Sequence, residues 1–343
     1  MKSIFRFLII VSILLLGVDS IYAGGGNRTG TAGATQLLIP IGARGIALGG
    51  AEVATSTGIE ALFWNPAGVA EMDNSATVAF SHMNYIADIG VEYGAVSANF
   101  EGFGVVSLNI KSLSVGDIPV TTTTNPDGTG QTYSPQELTV GATYSRRLTD
   151  RIDVGVTANF ITETLGEVSA NGIAFNAGVK YNNLADINGL NFGIVLKNIG
   201  PSMKFSGPGL LQKADVTGFN RPASYYTVDA ASFELPSSFE LGFGYKPVIN
   251  DMNALQLSAT FKNNNFSGDE YQFGAEYGYN NMFFLRGGYS MSPKSQSEDY
   301  IFGLTAGLGI NYDLGGIDVK IDYAYRDVKY FDANHVFAIS LGF

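Results

Sequence analysis

From about residue 75 to the C-terminus, apolar and polar residues alternate with a period of two. Ile152, Val154, Val156, Ala158 and Phe160 are separated by Asp153, Gly155, Thr157 and Asn159. Phe302, Leu304, Ala306, Leu308, Ile310 and Tyr312 are separated by Gly303, Thr305, Gly307, Gly309 and Asn311. Successive side chains of an extended strand point to opposite faces, so each run predicts a strand with one apolar and one polar face. Fourteen segments carry the pattern: 76–85, 88–100, 103–112, 135–147, 151–164, 169–181, 189–199, 237–247, 252–262, 269–280, 281–292, 299–314, 316–326 and 334–343. They are longer than the five or six residues of an average globular strand, and they match the roughly 9 to 11 residues of a tilted membrane strand.

The connections alternate as well. Glu101-Gly102, 148–150, 247–251, Asn280-Asn281 and Gly315-Gly316 are tight, whereas 113–134 and 200–236 are long. Short turns on one rim, long loops on the other and an even strand number predict a transmembrane antiparallel β-barrel. A soluble sandwich alternates too, so periodicity alone does not choose. Aromatics at strand ends, among them Tyr85, Tyr93, Phe103, Tyr144, Tyr279, Tyr312 and Phe331, favour interfacial girdles. The last strand closes on Phe337, Ile339, Leu341 and Phe343, and Phe343 resembles the terminal signal read by bacterial barrel-assembly machinery.

Composition narrows the class. Only 15% of residues are charged and 43 are Gly, as expected of a chain that shows apolar surface to outer-membrane lipids. A net charge of −11 argues against a nucleic-acid partner, and the lack of Cys removes disulfides and thiolate metal sites. Residues 1–23 read as a signal peptide: Lys2 and Arg6, the apolar run Phe7 to Val18, then Ile21-Tyr22-Ala23. Export to the outer membrane follows. The domain division is 1–23 signal peptide, 24–73 N-terminal segment and plug, and 74–343 barrel.

Residues 31–72 do not alternate. Small residues dominate, and the chain's single Trp, Trp64, would otherwise sit in water, so this segment is expected to fold inside the lumen. Gly42-Ala43-Arg44 through Leu48-Gly49-Gly50-Ala51, then Ala61-Leu62-Phe63-Trp64-Asn65-Pro66-Ala67-Gly68, resembles the opening of the PorV/PorQ family, itself similar to FadL-type transporters. Leu196 to Phe205 also resembles a stretch of that family. The resemblance implies a 14-stranded barrel with an N-terminal hatch and a role in type IX secretion, with secretion components or cargo C-terminal domains as partners. It makes Arg44, Gly49, Gly50, Trp64, Asn65, Pro66 and Gly68 the plug motif.

Catalytic motifs do not emerge. His82 and His335 fall on strands that closure would make neighbours, yet neither has ligand spacing, and Ser81 and His82 point to opposite faces. No enzyme activity and no cofactor are expected. The polar face carries Asp153, Lys197, Glu240, Lys246, Glu276, Asp318, Lys320, Asp322 and Arg326, which read as a solvated or ion-paired lumen holding the plug or, more sharply, as a selectivity lining. Arg286, beside Gly287 and Gly288, is expected to donate to carbonyls of the plug. Binding groups concentrate on loops. Met203, Phe205, Leu210, Leu211, Phe219, Tyr225 and Tyr226 in loop 200–236 are the candidate partner surface. Two functions stay open: handling of proteins at these loops, or FadL-like uptake of hydrophobic small molecules; a structural paralogue without transport is a third.

Overall fold

The computed structural model describes residues 28, 30–214, 223–293 and 300–343. The expected signal peptide and Phe219 lie outside the described residues. Fourteen antiparallel strands close into one barrel. They are β1 Ala76–Asn84, β2 Gly90–Phe100, β3 Gly104–Ser114, β4 Gln136–Thr149, β5 Ile152–Leu165, β6 Val168–Tyr181 and β7 Leu190–Ile199. The second half comprises β8 Ser238–Tyr245, β9 Asn253–Asn264, β10 Glu270–Tyr279, β11 Phe283–Met291, β12 Phe302–Asp313, β13 Asp318–Val328 and β14 Asn334–Gly342. The seam joins β1 to β14 from Thr77↔Gly342 to Asn84↔His335, so no barrel edge is left unpaired.

The two faces are the reverse of a soluble domain. Phe80, Leu108, Phe160, Leu285, Leu304 and Phe337 point outward and are more than half exposed. Ser97, Ser107, Thr143, Asp153, Thr157 and Lys180 point inward and are buried. An apolar exterior around a polar interior suits acyl chains and excludes the sandwich. Two of the expected girdle aromatics belong elsewhere. Tyr93 shares the inward phase of Val91 and Ala95 and is buried, while Tyr85 lies near Arg326 in the lumen.

One rim carries the tight turns after β2, β4, β10 and β12, together with the chain end at Phe343. The other carries the long loops 115–135 and 200–237 among shorter connections, the shortest of which joins β5 and β6 through only Gly166 and Glu167, with Gly166 turning the chain at φ +57. We call these the inner and outer rims. The outer loops build two-stranded ribbons, Ile118–Pro119 with Thr132–Tyr133, Met203–Lys204 with Ser232–Phe233, and Leu211–Ala214 with Ser224–Thr227.

The N-terminal segment runs through the lumen from the outer rim to the inner. It folds as 3-10 turns at Thr35–Leu38, Gly58–Glu60 and Pro66–Glu71, with short helices α1 Ala43–Ala47 and α2 Ala61–Trp64. Ile46, Leu48, Val53, Ala61 and Val69 are buried. The segment's Ile41, Ile46, Leu62 and Trp64 share a core with the inward Met83, Val91, Val105, Ala324 and Val336 of the wall.

Candidate functional site

Glycine on the inward face of the wall makes room for this segment. A Cβ placed at Gly155 (β5) would overlap the Pro66 carbonyl, and at Gly178 (β6) the Asn65 side chain. At Gly193 (β7) and Gly242 (β8) it would strike Val53, at Gly274 (β10) Leu48, and at Gly288 (β11) Gly49. Gly155 faces Gly178 across the sheet, as Gly193 faces Gly242 and Gly274 faces Gly288. The result is a side-chain-free track on which backbone lies against backbone.

The motif residues hold the segment on that track. Gly49 and Gly50 take φ +65 and +84, in the left-handed region, and a Cβ on Gly49 would come 2.8 Å from the Tyr289 nitrogen. Asn65 donates to the carbonyls of Val53 (2.8 Å) and Val179 (3.3 Å), while its Oδ1 accepts from Ala67 N–H and caps the Pro66–Glu71 turn. Pro66 opens that turn where its missing N–H costs nothing. Trp64 is buried edge-on against Phe63, and a Cβ at Gly45 would overlap the indole. Likewise, a Cβ at Gly68 would overlap the Ser56 carbonyl.

Charge supplies the clamps. Arg44 donates to Glu276 of β10 and to Glu52, at 2.9 and 2.8 Å, and reaches Glu60 at 3.5 Å. Arg286 holds Glu276 at 2.5 Å and also pairs with Asp322, so two guanidiniums serve four carboxylates. Burial pushes the Glu52 carboxyl up to about 7, an effect that Arg44 opposes. Nearer the inner rim Lys180 pairs with Glu71 at 2.8 Å, and Asn182 bridges Glu71 and Asp153. Arg286 does not take the role expected of it. Its fork is spent on wall carboxylates, and the segment's carbonyls are met by Lys111 at Gln36 and Ile39, Lys180 at Ser56, and Thr305 at Ala47.

Space remains on both sides of the segment. An outer vestibule of about 800 Å³ is lined by Ile39, Phe63 and Trp64 on one side and by Lys197, Glu240, Lys262, Glu270 and Arg326 on the other. An inner cavity of about 390 Å³ is lined by Arg44, Glu60, Lys180, Glu276, Arg286 and Asp322. In the vestibule Lys197 pairs with Glu240 (3.0 Å) and Lys262 with Glu270 (3.3 Å). Asn198 sits at φ +58, beside a register irregularity between β6 and β7. Lys197 and Asn198 are consecutive and both buried, a break in alternation of the kind a bulge produces. Lys197 then lies over Trp64 (5.7 Å), while Asn198 donates to the Pro236 carbonyl at the base of the outer loop.

The structure separates the candidate loop residues. Met203 is buried with Ala34, Leu37, Ile161 and Leu235, and Phe205 stacks on Phe233 beside them. They tie the loop to the N-terminal segment and leave Leu210 half-buried and Leu211, Tyr225 and Tyr226 exposed on the outermost ribbon. Gly33 N–H donates to the Glu234 carbonyl in the same place. Phe343 pairs its backbone with Ala76 and leaves its ring half exposed. The histidines share the outward face of the paired strands β1 and β14, where His82 contacts Glu92 and Asn84 and His335 contacts Tyr323. The glycine track escaped the sequence reading, since Gly within a strand has several explanations; its signal is Gly recurring on the polar phase of consecutive strands.

The family model of the type IX secretion system protein PorV matches residues 23–264. A search of curated proteins finds no match. Among solved structures the fold is similar to the CymD monoaromatic hydrocarbon channel, with TM-score 0.55 and 14% identity over 89% of this chain and 98% of that one. It is also similar to the Ralstonia pickettii toluene transporter TbuX, at TM-score 0.54 and 14% identity over 88% and 98% of the two chains. A Pseudomonas aeruginosa FadL homologue gives TM-score 0.50 and 12% identity over 88% and 98%. Such identities establish a shared fold. The family match spans well over half of the sequence, and the chain belongs to the PorV family of type IX secretion proteins, as an outer-membrane β-barrel.

Proposed function

We propose that the barrel handles proteins at the cell surface during type IX secretion. Its outer loops dock a cargo C-terminal domain or a secretion partner, while the N-terminal segment acts as a hatch that keeps the lumen shut. The observation that carries this reading is a lumen occupied from rim to rim by a clamped segment, beneath an outer ribbon whose strands Leu211–Ala214 and Ser224–Thr227 are wholly exposed. Leu211, Tyr225 and Tyr226 are the contact residues, and an exposed ribbon offers backbone hydrogen bonds as well as side chains to an incoming β-domain. Phe343 serves the barrel-assembly machinery as a terminal signal.

Replacing 211–227 by a short Gly-Ser turn tests this, because the replacement spares the Met203 cluster that supports the barrel. Cargo display at the surface should be lost while the barrel still assembles. Unchanged display would refute the reading. Uptake of hydrophobic small molecules is favoured by one feature, the apolar Ile39, Phe63 and Trp64 side of the vestibule. The ion pairs lining its other side and the charged inner cavity weigh against it. Lipid or detergent co-purifying in the vestibule would support uptake.

A further inference from the structure

A further, much smaller cavity of about 40 Å³ lies where Leu37, Leu62 and Phe63 of the hatch meet the wall. A cavity needs only about 10–15 Å³ of such space to hold a water molecule, so this one has room for water or a small ion. Its polar lining is unusual in sign. Lys111 and Lys197 both border it, with their ammonium groups 5.3 and 4.9 Å from the centre of the same Phe63 ring, and no carboxylate is among the described residues that line it. Lys197 has a counter-charge in Glu240. Lys111 has none within ion-pairing distance among the described residues. Its buried Nζ donates to the Gln36 carbonyl at 2.6 Å and the Ile39 carbonyl at 3.2 Å, both neutral.

Two further donors border the cavity. The hydroxyls of Tyr93 and Thr139 are buried and make no hydrogen bond among the described residues. Buried hydroxyls without partners and a buried ammonium without a contacting carboxylate each carry a cost of desolvation, which the charge of Glu137, acting on Lys111 from beyond ion-pairing distance, offsets only in part. A water molecule would answer the hydroxyls and leave the charge. A small anion would answer both.

We propose that this cavity binds a monatomic halide, chloride in its natural setting, which accepts from Tyr93 and Thr139 and neutralises Lys111. The anion joins hatch to wall: Lys111 on β3 already grips the hatch backbone, and neutralising it in place strengthens that grip.

The test uses the intact barrel in detergent. Thermal unfolding is followed across a series in which sodium gluconate, too large for the cavity, is replaced by sodium chloride at constant ionic strength. Crystals are also soaked in bromide, whose anomalous signal locates the ion. The unfolding temperature should rise with chloride, and an anomalous peak should lie within hydrogen-bonding distance of Lys111 Nζ and Thr139 Oγ1. General salt effects work the other way, since strongly hydrated, excluded solutes stabilise folded proteins. Lys111→Met should abolish both signals. Should that variant fail to assemble, Thr139→Val keeps the shape, removes one donor and should flatten the chloride response. An unfolding temperature that does not rise with chloride, or bromide found on the exterior but not in the cavity (an adventitious ion only), would overturn the proposal and leave a buried water there.

Discussion

Arg44 of the hatch grips Glu276 of the wall through two parallel hydrogen bonds, Nε to Oε2 at 2.9 Å and Nη2 to Oε1 at 3.1 Å. A planar fork matched to a carboxylate fixes direction as well as distance. The same guanidinium is the partner of Glu52, so its removal strands the buried Glu52 and leaves Glu276 to Arg286 alone. Arg44→Ala should destabilise the seated hatch by about 3–5 kcal/mol, the usual cost of breaking a buried pair. Arg44→Lys restores charge without the fork and should recover only part of that loss. Thermal unfolding of the purified barrel checks both, and a wild-type midpoint for Arg44→Ala would contradict the clamp.

Glu52 gives the clamp a pH dependence of known sign. Its carboxyl is raised from 4.5 to about 7 by burial. A folded value above the unfolded one means that the neutral acid fits better, so its contribution is fully present below the unfolded value and is lost as pH rises through the folded one. Between pH 5 and 8 the wild type should therefore lose stability relative to Glu52→Gln, which mimics the neutral acid. The gap between the two unfolding midpoints should widen toward pH 8. A constant gap would show that Glu52 does not titrate in this range.

Adjacent glycines offer an internal control for the track. Gly288 points inward, where a Cβ would overlap Gly49, whereas a Cβ on Gly287 would meet only the Thr305 carbonyl at 3.9 Å. Gly288→Val should unseat the hatch and open it to added protease, while Gly287→Val should leave it protected. Equal protection of both variants would remove the track from the account.

The outer loop divides into support and contact. Met203→Ala empties a packed site and should cost about 2–5 kcal/mol. Tyr225→Ala removes an exposed ring and should change stability by less than about 0.5 kcal/mol. Recovery of a secretion partner should fall in the Tyr225 variant at unchanged stability, and a pull-down beside a melting curve reads both.

Strand number and closure were legible because each strand is long and because an outward greasy phase recurs on strand after strand from Phe80 to Phe337. The hatch was legible from the break in that alternation and from Trp64. Assignments that hinge on orientation were harder. Met203 and Phe233 look like any exposed apolar loop residues until the fold brings them against Ala34 and Leu37, far away in sequence. Arg286 sits beside two glycines, yet its partner is set by Asp322 on a strand two hairpin arms later. The irregularity that buries both Lys197 and Asn198 leaves one trace in the sequence, an Asn where the backbone turns left-handed.

Planar-bilayer recording from the purified wild-type barrel addresses the closed lumen most directly. With the hatch clamped at Glu276, Lys180 and Lys111, inserted barrels should add no steady current, and Arg44→Ala combined with Gly288→Val should produce discrete conductance steps. Ohmic steps of the same size from the untouched protein would contradict a hatch that seals the pore.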